Sequence, residues 1–267
     1  MNATTSYGEL LPAVTTVLEE AAKRLVGGYR TGPAPLTRSD VETAIHAADQ
    51  VALEALRPGL EGLRPQAGWQ EDELASGPLP AGEWWVVDPV EGAINYVHGL
   101  DHWAVTATLV RDNEPVLTVV HLPLQGDTYT AVRGEGARLN GSPIRAARKH
   151  ELSGALVGTG QASPRETAET FALIGRSVTA MMAASGVVRV SVPPTLQLIH
   201  VAAGGMDVFW QHGAVGSGLV PGALLVSEAG GAVSDLRGEP WSLRSHDFLA
   251  AAPDLREQAL AVLAPLA

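Results

Sequence analysis

Residues 84–110 read WWVVDPVEGAINYVHGLDHWAVTATLV. The run Trp84–Val87 is short and apolar, and it ends in Asp88 and Pro89. It reads as a buried strand that delivers an acid at its C-terminal end. Proline fixes φ and favours a tight turn, so Asp88, Glu91 and the Val90 carbonyl are expected to converge. Hard divalent cations such as Mg²⁺ bind oxygen clusters of this kind. Gly92 permits close backbone approach, and a helix opening at Ile94–Asn95–Tyr96 would aim N–H groups at a phosphate. Taken alone, the same residues also suit an ordinary acidic turn at a strand end.

Working outward, Val105–Val110 and Pro115–His121 flank Asp112–Asn113 and predict a β-hairpin. Asp127–Arg133 predicts a third strand, with turns at Gly134, Gly136 and Gly141. Upstream, Leu10, Leu11, Val14, Leu18, Ala21 and Leu25 recur at helical spacing over residues 8–26, and Gly27–Gly28 are expected to stop that helix. Ser39 and Glu42 match a capping box, which predicts a second helix ending at Pro58. A Gly- and Pro-rich stretch, 65–82, carries Glu71, Asp72 and Glu73. Downstream, helices are expected over 164–184, 194–203, 218–229 and up to Leu263. Strands are expected over 186–192, 206–211 and 248–252. This mixture predicts α+β or α/β layers.

The chain has 267 residues, 46% of them apolar and 18% charged, with a formal charge of −11. That length supports one large domain or two tightly joined halves. So acidic a chain lacks the footprint of a nucleic-acid binder and would be repelled by anionic lipid. An anionic substrate would need positive charge from elsewhere, and a metal ion can supply it. With no cysteine, thiolate metal sites and Cys nucleophiles are excluded. No run of 18 apolar residues occurs and the N-terminus lacks a signal-peptide pattern, so a cytoplasmic protein is expected.

The stretch DPVEGAINYVHGLDHWAVTATLV resembles the signature of the inositol monophosphatase superfamily, DP(I/V)DGTxNF followed by a short loop and a strand. Ala47–Ala48–Asp49–Gln50 is similar to the family's T-E-x-D helix, and Glu71–Asp72 with Gly77 to its E-E…G loop. The run from Thr128 through Gly136–Ala137 to Asn140–Gly141 resembles its A-x-x-G-x-G-A…N-G stretch. Val201–Gly204 with Asp207, and Glu228–Gly231, resemble V-A-x-G-x-x-D and E-A-G-G. The resemblance implies an α+β fold, a layered α-β-α-β-α sandwich. Residues 1–145 would carry the metal-site motifs, and 146–267 would complete the substrate pocket of one compact unit. It also implies a homodimer and Mg²⁺-dependent hydrolysis of a small phosphomonoester, with two ions activating water and clamping phosphate. Carried over by position, Glu71, Asp88 and the Val90 carbonyl would hold one metal, and Asp88 with Glu91 a second. Asp49, Glu71 and Glu91 become the candidate catalytic residues, with Asp49 orienting the water.

The chain departs from that pattern at the site itself. Glu91 replaces Asp, Ala93 replaces the Thr that assists Asp49, and Gly218 replaces an Asp that ligates metal and touches substrate. Gln211 replaces the Glu that contacts a sugar hydroxyl in inositol-specific members. Gly92, Ala93, Gln211, His212 and Gly218 are the candidate substrate-binding positions. The leading expectation is hydrolysis of a non-inositol phosphomonoester with a weakened second metal site. The alternatives are a repurposed member doing other chemistry in a specialised biosynthetic pathway, or a silent partner subunit. His98, Asp101 and His102 could form a His–Asp–His metal site, but they more simply border the loop after the motif. Gly158–Thr159–Gly160 is too short a fragment to indicate dinucleotide binding.

Overall fold

The computed structural model describes residues 6–32, 34–71, 77–161, 163, 166–213 and 216–266. Asp72 and Glu73 of the acidic loop, and the start of the helix expected at 164, lie outside them. The elements in chain order are α1 (Tyr7–Gly28), α2 (Arg38–Leu63), β1 (Gly68–Trp69), β2 (Glu83–Glu91), α3 (Ala93–Val97), β3 (Ala104–Arg111), β4 (Glu114–Leu122), β5 (Asp127–Val132), β6 (Gly136–Leu139) and β7 (Ser142–Pro143). Then follow β8 (Leu156–Thr159), α4 (Ala168–Ala184), β9 (Val187–Val190), α5 (Pro194–Ala202), β10 (Val208–His212), α6 (Gly216–Glu228), β11 (Ala232–Ser234), β12 (Asp247–Ala251) and α7 (Arg256–Leu263).

Strands β1 to β7 form one sheet in sequence order, antiparallel except for the parallel pair β1–β2. The second sheet has the order β11-β12-β10-β8-β9, with β10, β8 and β9 parallel. Helices α1 and α2 cover one face of the first sheet, packing Leu18, Leu25, Leu56 and Leu60 with Trp85, Val87, Val105 and Leu117. The opposite face, through Val120 and Ala131, shares a core with Leu198 of α5, Leu225 of α6, and Phe209 and Phe248 of the second sheet. The outer face of that sheet, through Val208, Trp210 and Leu249, packs on Met181 of α4 and Leu260 of α7. The result is the α-β-α-β-α sandwich. Both sheets are buried on both faces. For this reason Ala104–Val110 is a continuous buried run rather than an alternating one.

Several local expectations are corrected. Helix α1 runs through Gly27 and Gly28 before its cap at Tyr29. The capping box of α2 is Thr37 with Asp40, not Ser39 with Glu42. Glu42 pairs instead with Arg38, at 3.0 Å. Pro58 does not end α2, which continues one further turn to Leu63. DPVEG is not a free tight turn: β2 runs through it, paired as Asp88↔Thr106 and Glu91↔Ala104, with a bulge between. The hairpin at Asp112–Asn113 forms as expected, with both residues at positive φ.

Helices α5 and α6 pack tightly at Gly222. A Cβ there would lie 2.5 Å from Leu198 Cβ and 2.8 Å from its Cγ. A rotamer change cannot move Leu198 Cβ, so a larger residue must part the helices. Overpacking of this kind costs about 1–3 kcal/mol, against a helix-propensity gain of up to about 1 kcal/mol for Gly→Ala. Gly222→Ala is expected to lower the urea midpoint. A raised midpoint would show that the middle layer yields easily.

Candidate active site

Strand β2 sorts its side chains by period two. Trp85 and Val87 face α1 and α2, whereas Val86 faces Val220 of α6. Asp88 therefore follows Val86, and the bulge then re-aims Glu91. Asp88 is 9% exposed and Glu91 3%. Both line a cleft of about 580 Å³ with Val90, Gly92, Ala93 and Gly218. Arg38, Val41 and Ile45 of α2 stand on one side, Val192, Pro193 and Pro194 on another. Asp88 Oδ1 accepts from the Val90 N–H at 3.1 Å. Glu91 Oε1 accepts from the Thr195 N–H at 3.2 Å, at the start of α5. Gly92 has φ +90°, and a Cβ there would sit 2.8 Å from the His102 carbonyl oxygen. No other residue suits that position.

Asp49 and Glu71 lie in a different cleft, of about 780 Å³, with His46, Leu53, Arg57 and Trp69. Val87 and Pro89 line this second cleft, so residues 87–90 contribute alternately to the two. Asp49 is half-buried on α2, and burial raises its carboxyl from 3.8 to about 6, opposed only by the nearby His46 charge. Glu71 is exposed and held in a two-pronged pair by Arg57, with Nη1 to Oε2 at 3.2 Å and Nη2 to Oε1. This pairing lowers the Glu71 carboxyl below its ordinary range.

The expected metal set is thus divided. Asp88, Val90 and Glu91 come together. Glu71 is engaged elsewhere, and Gly218 offers no oxygen. Mg²⁺ commonly takes one or two carboxylates, with water and substrate phosphate completing its shell. Asp88 and Glu91 meet that minimum for one ion. No group of three acidic or histidine side chains gathers among the described residues.

Among the expected substrate-binding residues, Gly92, Ala93 and Gly218 line the Asp88–Glu91 cleft. Gln211 and His212 do not line it. They lie on β10, fully buried and 3% exposed respectively. Their period-two neighbours pack on both sides of the second sheet. Gln211 Oε1 and His212 Nε2 have no hydrogen-bond partner among the described residues. Burial lowers His212 to about 4, so it stays neutral at pH 7. Asp101, suspected between two histidines, accepts instead from Tyr29 Oη at 2.8 Å and Arg30 Nη2 at 3.0 Å.

Two residues were not anticipated. Arg57 lies eight residues after Asp49, two turns along the same face of α2. Pro194 confronts Gly218, where a Cβ would lie 2.8 Å from the proline Cγ and 3.6 Å from Glu91 Oε1. A side chain at 218 would therefore enter space that the Pro194 ring occupies.

The model of the inositol monophosphatase family matches residues 4–266. The chain belongs to the inositol monophosphatase family. The inositol-1-monophosphatase of Rhizobium meliloti (strain 1021) is 35% identical over 197 residues, 73% of each chain. The Nus factor SuhB of Xylella fastidiosa is 38% identical over 154 residues, 58% of this chain and 55% of that relative. The match thus spans little more than half of that relative's length. Among solved structures, Mycobacterium tuberculosis SuhB superposes with a TM-score of 0.78 at 27% identity, covering 98% of both chains. The family includes inositol monophosphatases and is generally Mg²⁺-dependent, and no helix among the described residues is long and apolar enough to cross a membrane.

The Asp49 shift makes a stability prediction. The unfolded chain ionises this carboxyl near 3.8 and the folded chain near 6. Between those values the folded state holds the extra proton, so stability falls as pH rises through the window. By pH 7 the full penalty applies, at most about 3 kcal/mol. In metal-free buffer Asp49→Asn is expected to stabilise the chain by about 1–3 kcal/mol at pH 7, with little effect at pH 4. Urea unfolding at both pH values measures this. No gain at pH 7 would mean that the carboxylate has a favourable partner.

Proposed function

We propose that this chain hydrolyses a small, non-inositol phosphomonoester using one Mg²⁺ rather than the two that the resemblance implies. The observation that carries the reading is the convergence of two buried carboxylates, Asp88 and Glu91, on one cleft at the end of β2. With the Val90 carbonyl they would hold the ion. When bound, Mg²⁺ supplies charge to phosphate oxygens and acidifies water.

The remaining work falls to the protein's own groups. Arg38 lines the rim together with its partner Glu42, and an entering phosphate would have to draw it from that pair. Val41, Ile45, Ile94, Val192 and Pro193 make apolar walls that suit a substrate with an apolar body better than a polyol. Asp49, with its carboxyl raised to about 6, lies in the adjoining cleft, so no step at Asp88 and Glu91 is assigned to it. A homodimer and a cytoplasmic location belong to the same proposal.

A second reading is a member that binds its ligand, or a partner chain, without hydrolysis. Ala93, Gly218 and the capture of Glu71 by Arg57 favour it. The Nus factor names among the relatives show that the family's names extend beyond phosphatases.

Phosphate release from a panel of phosphomonoesters, with and without Mg²⁺, separates the two. The first reading expects release that requires Mg²⁺ and falls at least about 100-fold in Asp88→Asn, as loss of metal charge stabilisation dictates. No release across the panel, from a chain that still binds Mg²⁺, would move the protein to the second reading.

A further inference from the structure

Two threonines of β3 share a sheet face with Asp88. Asp88 pairs with Thr106 across the β2–β3 ladder, and Val86 pairs with Thr108. Residues two apart on a strand point to the same face. Val86, Asp88, Thr106 and Thr108 are therefore all directed toward the middle helices, where Val86 packs against Val220 of α6. Thr106 and Thr108 are both fully buried.

The two hydroxyls differ in what they meet. Thr108 Oγ1 shares a hydrogen bond of 2.7 Å with Thr118 Oγ1 on β4. Thr106 stands opposite Val120 on β4, an apolar side chain. Its Oγ1 has no hydrogen-bond partner among the described residues. A buried hydroxyl left unpaired is destabilising, and valine has nearly the same shape without one. The polar side chain directly opposite Thr106 is that of Asp88. Directly opposed residues have Cβ atoms about 4.5–5.5 Å apart, close enough for a hydroxyl and a carboxylate to meet. Asp88 Oδ1 now accepts from the Val90 N–H. The last torsion of a carboxylate is broad, so Asp88 can turn an oxygen toward Thr106 with little resistance.

We propose that Thr106 is a positioning residue for Asp88: its hydroxyl is the donor that fixes the carboxylate in the orientation that holds the ion. This rests on the reading that Asp88 and Glu91 bind one Mg²⁺. Ligating carboxylates are themselves hydrogen-bonded, and loss of such a partner lowers metal affinity about 10–100-fold. Thr106 is buried behind the cleft and does not line it. It therefore acts through Asp88 and touches neither ion nor substrate.

The test is calorimetric titration of the full chain with Mg²⁺ alone, at fixed ionic strength. Wild type, Thr106→Val, Thr106→Ser and Asp88→Asn would be compared, with urea unfolding of each in metal-free buffer. Thr106→Val is expected to bind Mg²⁺ at least about tenfold more weakly. Its metal-free urea midpoint should rise, because an unpaired buried hydroxyl has gone. A role in packing alone would move stability and leave affinity unchanged. Thr106→Ser keeps the hydroxyl and loses a methyl, so its midpoint should fall while its affinity stays close to wild type. Affinity in Thr106→Val equal to wild type overturns the inference and leaves the one-ion reading standing. Binding in Thr106→Ser as weak as in Thr106→Val also overturns it, because the hydroxyl would not be the source. No Mg²⁺ binding by wild type, or binding that survives unchanged in Asp88→Asn, overturns the one-ion reading and the inference with it.

Discussion

Glu91 reaches from the end of β2 and accepts a hydrogen bond from the Thr195 N–H, the first amide that α5 can offer. Pro193 and Pro194, just before it, have no N–H to give. Helix α5 has no side-chain cap from its own N-terminal residue. A buried carboxylate at a helix N-terminus is stabilising by about 0.3–1 kcal/mol, rising to about 2 kcal/mol in partly buried settings. The Thr195 hydroxyl then donates to the Gly218 carbonyl at 2.8 Å, which carries the link into α6. Asn95 Nδ2 adds a second tie, donating to the His102 carbonyl at 2.7 Å and the Val192 carbonyl at 2.9 Å. The first sheet is thus bound to the middle helices through the residues that wall the cleft. Glu91 has a structural role whether or not it holds a metal.

The layered fold was readable because its signals are local and repeated. The helical stripe of Leu10, Val14, Leu18, Ala21 and Leu25 is buried as its spacing required. The Asp112–Asn113 hairpin needs two residues that tolerate positive φ, and these two do. Errors arose where two local patterns competed or where a distant partner decided. Thr37/Asp40 and Ser39/Glu42 both match a capping box, and the choice between them rests on where α2 begins. DPVEG suggests a turn in isolation, but pairing with Thr106 and Ala104 holds it as strand. Strands β1, β7 and β11 are too short to leave a periodic signal.

At the candidate site, the cluster around Asp88 and Glu91 was visible because it comes from one short stretch. The pairing of Glu71 with Arg57 is not legible in the sequence, since Arg57 lies on another element and only the folded chain brings them together. Gln211 is expected at the site from its position in a family pattern, and His212 from its place beside it. Their strand is covered on both faces, so their side chains enter the interior. Period-two alternation along β2, with the bulge after Asp88, turns Asp88 and Glu91 into one cleft and Val87 and Pro89 into the other. Motif spacing alone does not contain that information.

The contact between Gly218 and Pro194 constrains the sequences that can be reached from this one. A glycine that merely lacks a side chain can regain one by a single substitution. Here any residue with a Cβ at 218 meets a proline ring atom at 2.8 Å, and the ring cannot rotate away as an open side chain would. An acid at 218 first requires a smaller neighbour at 194. Until that neighbour changes, the pair works as a ratchet: the cleft can vary its other walls, but one substitution does not place a side chain at 218.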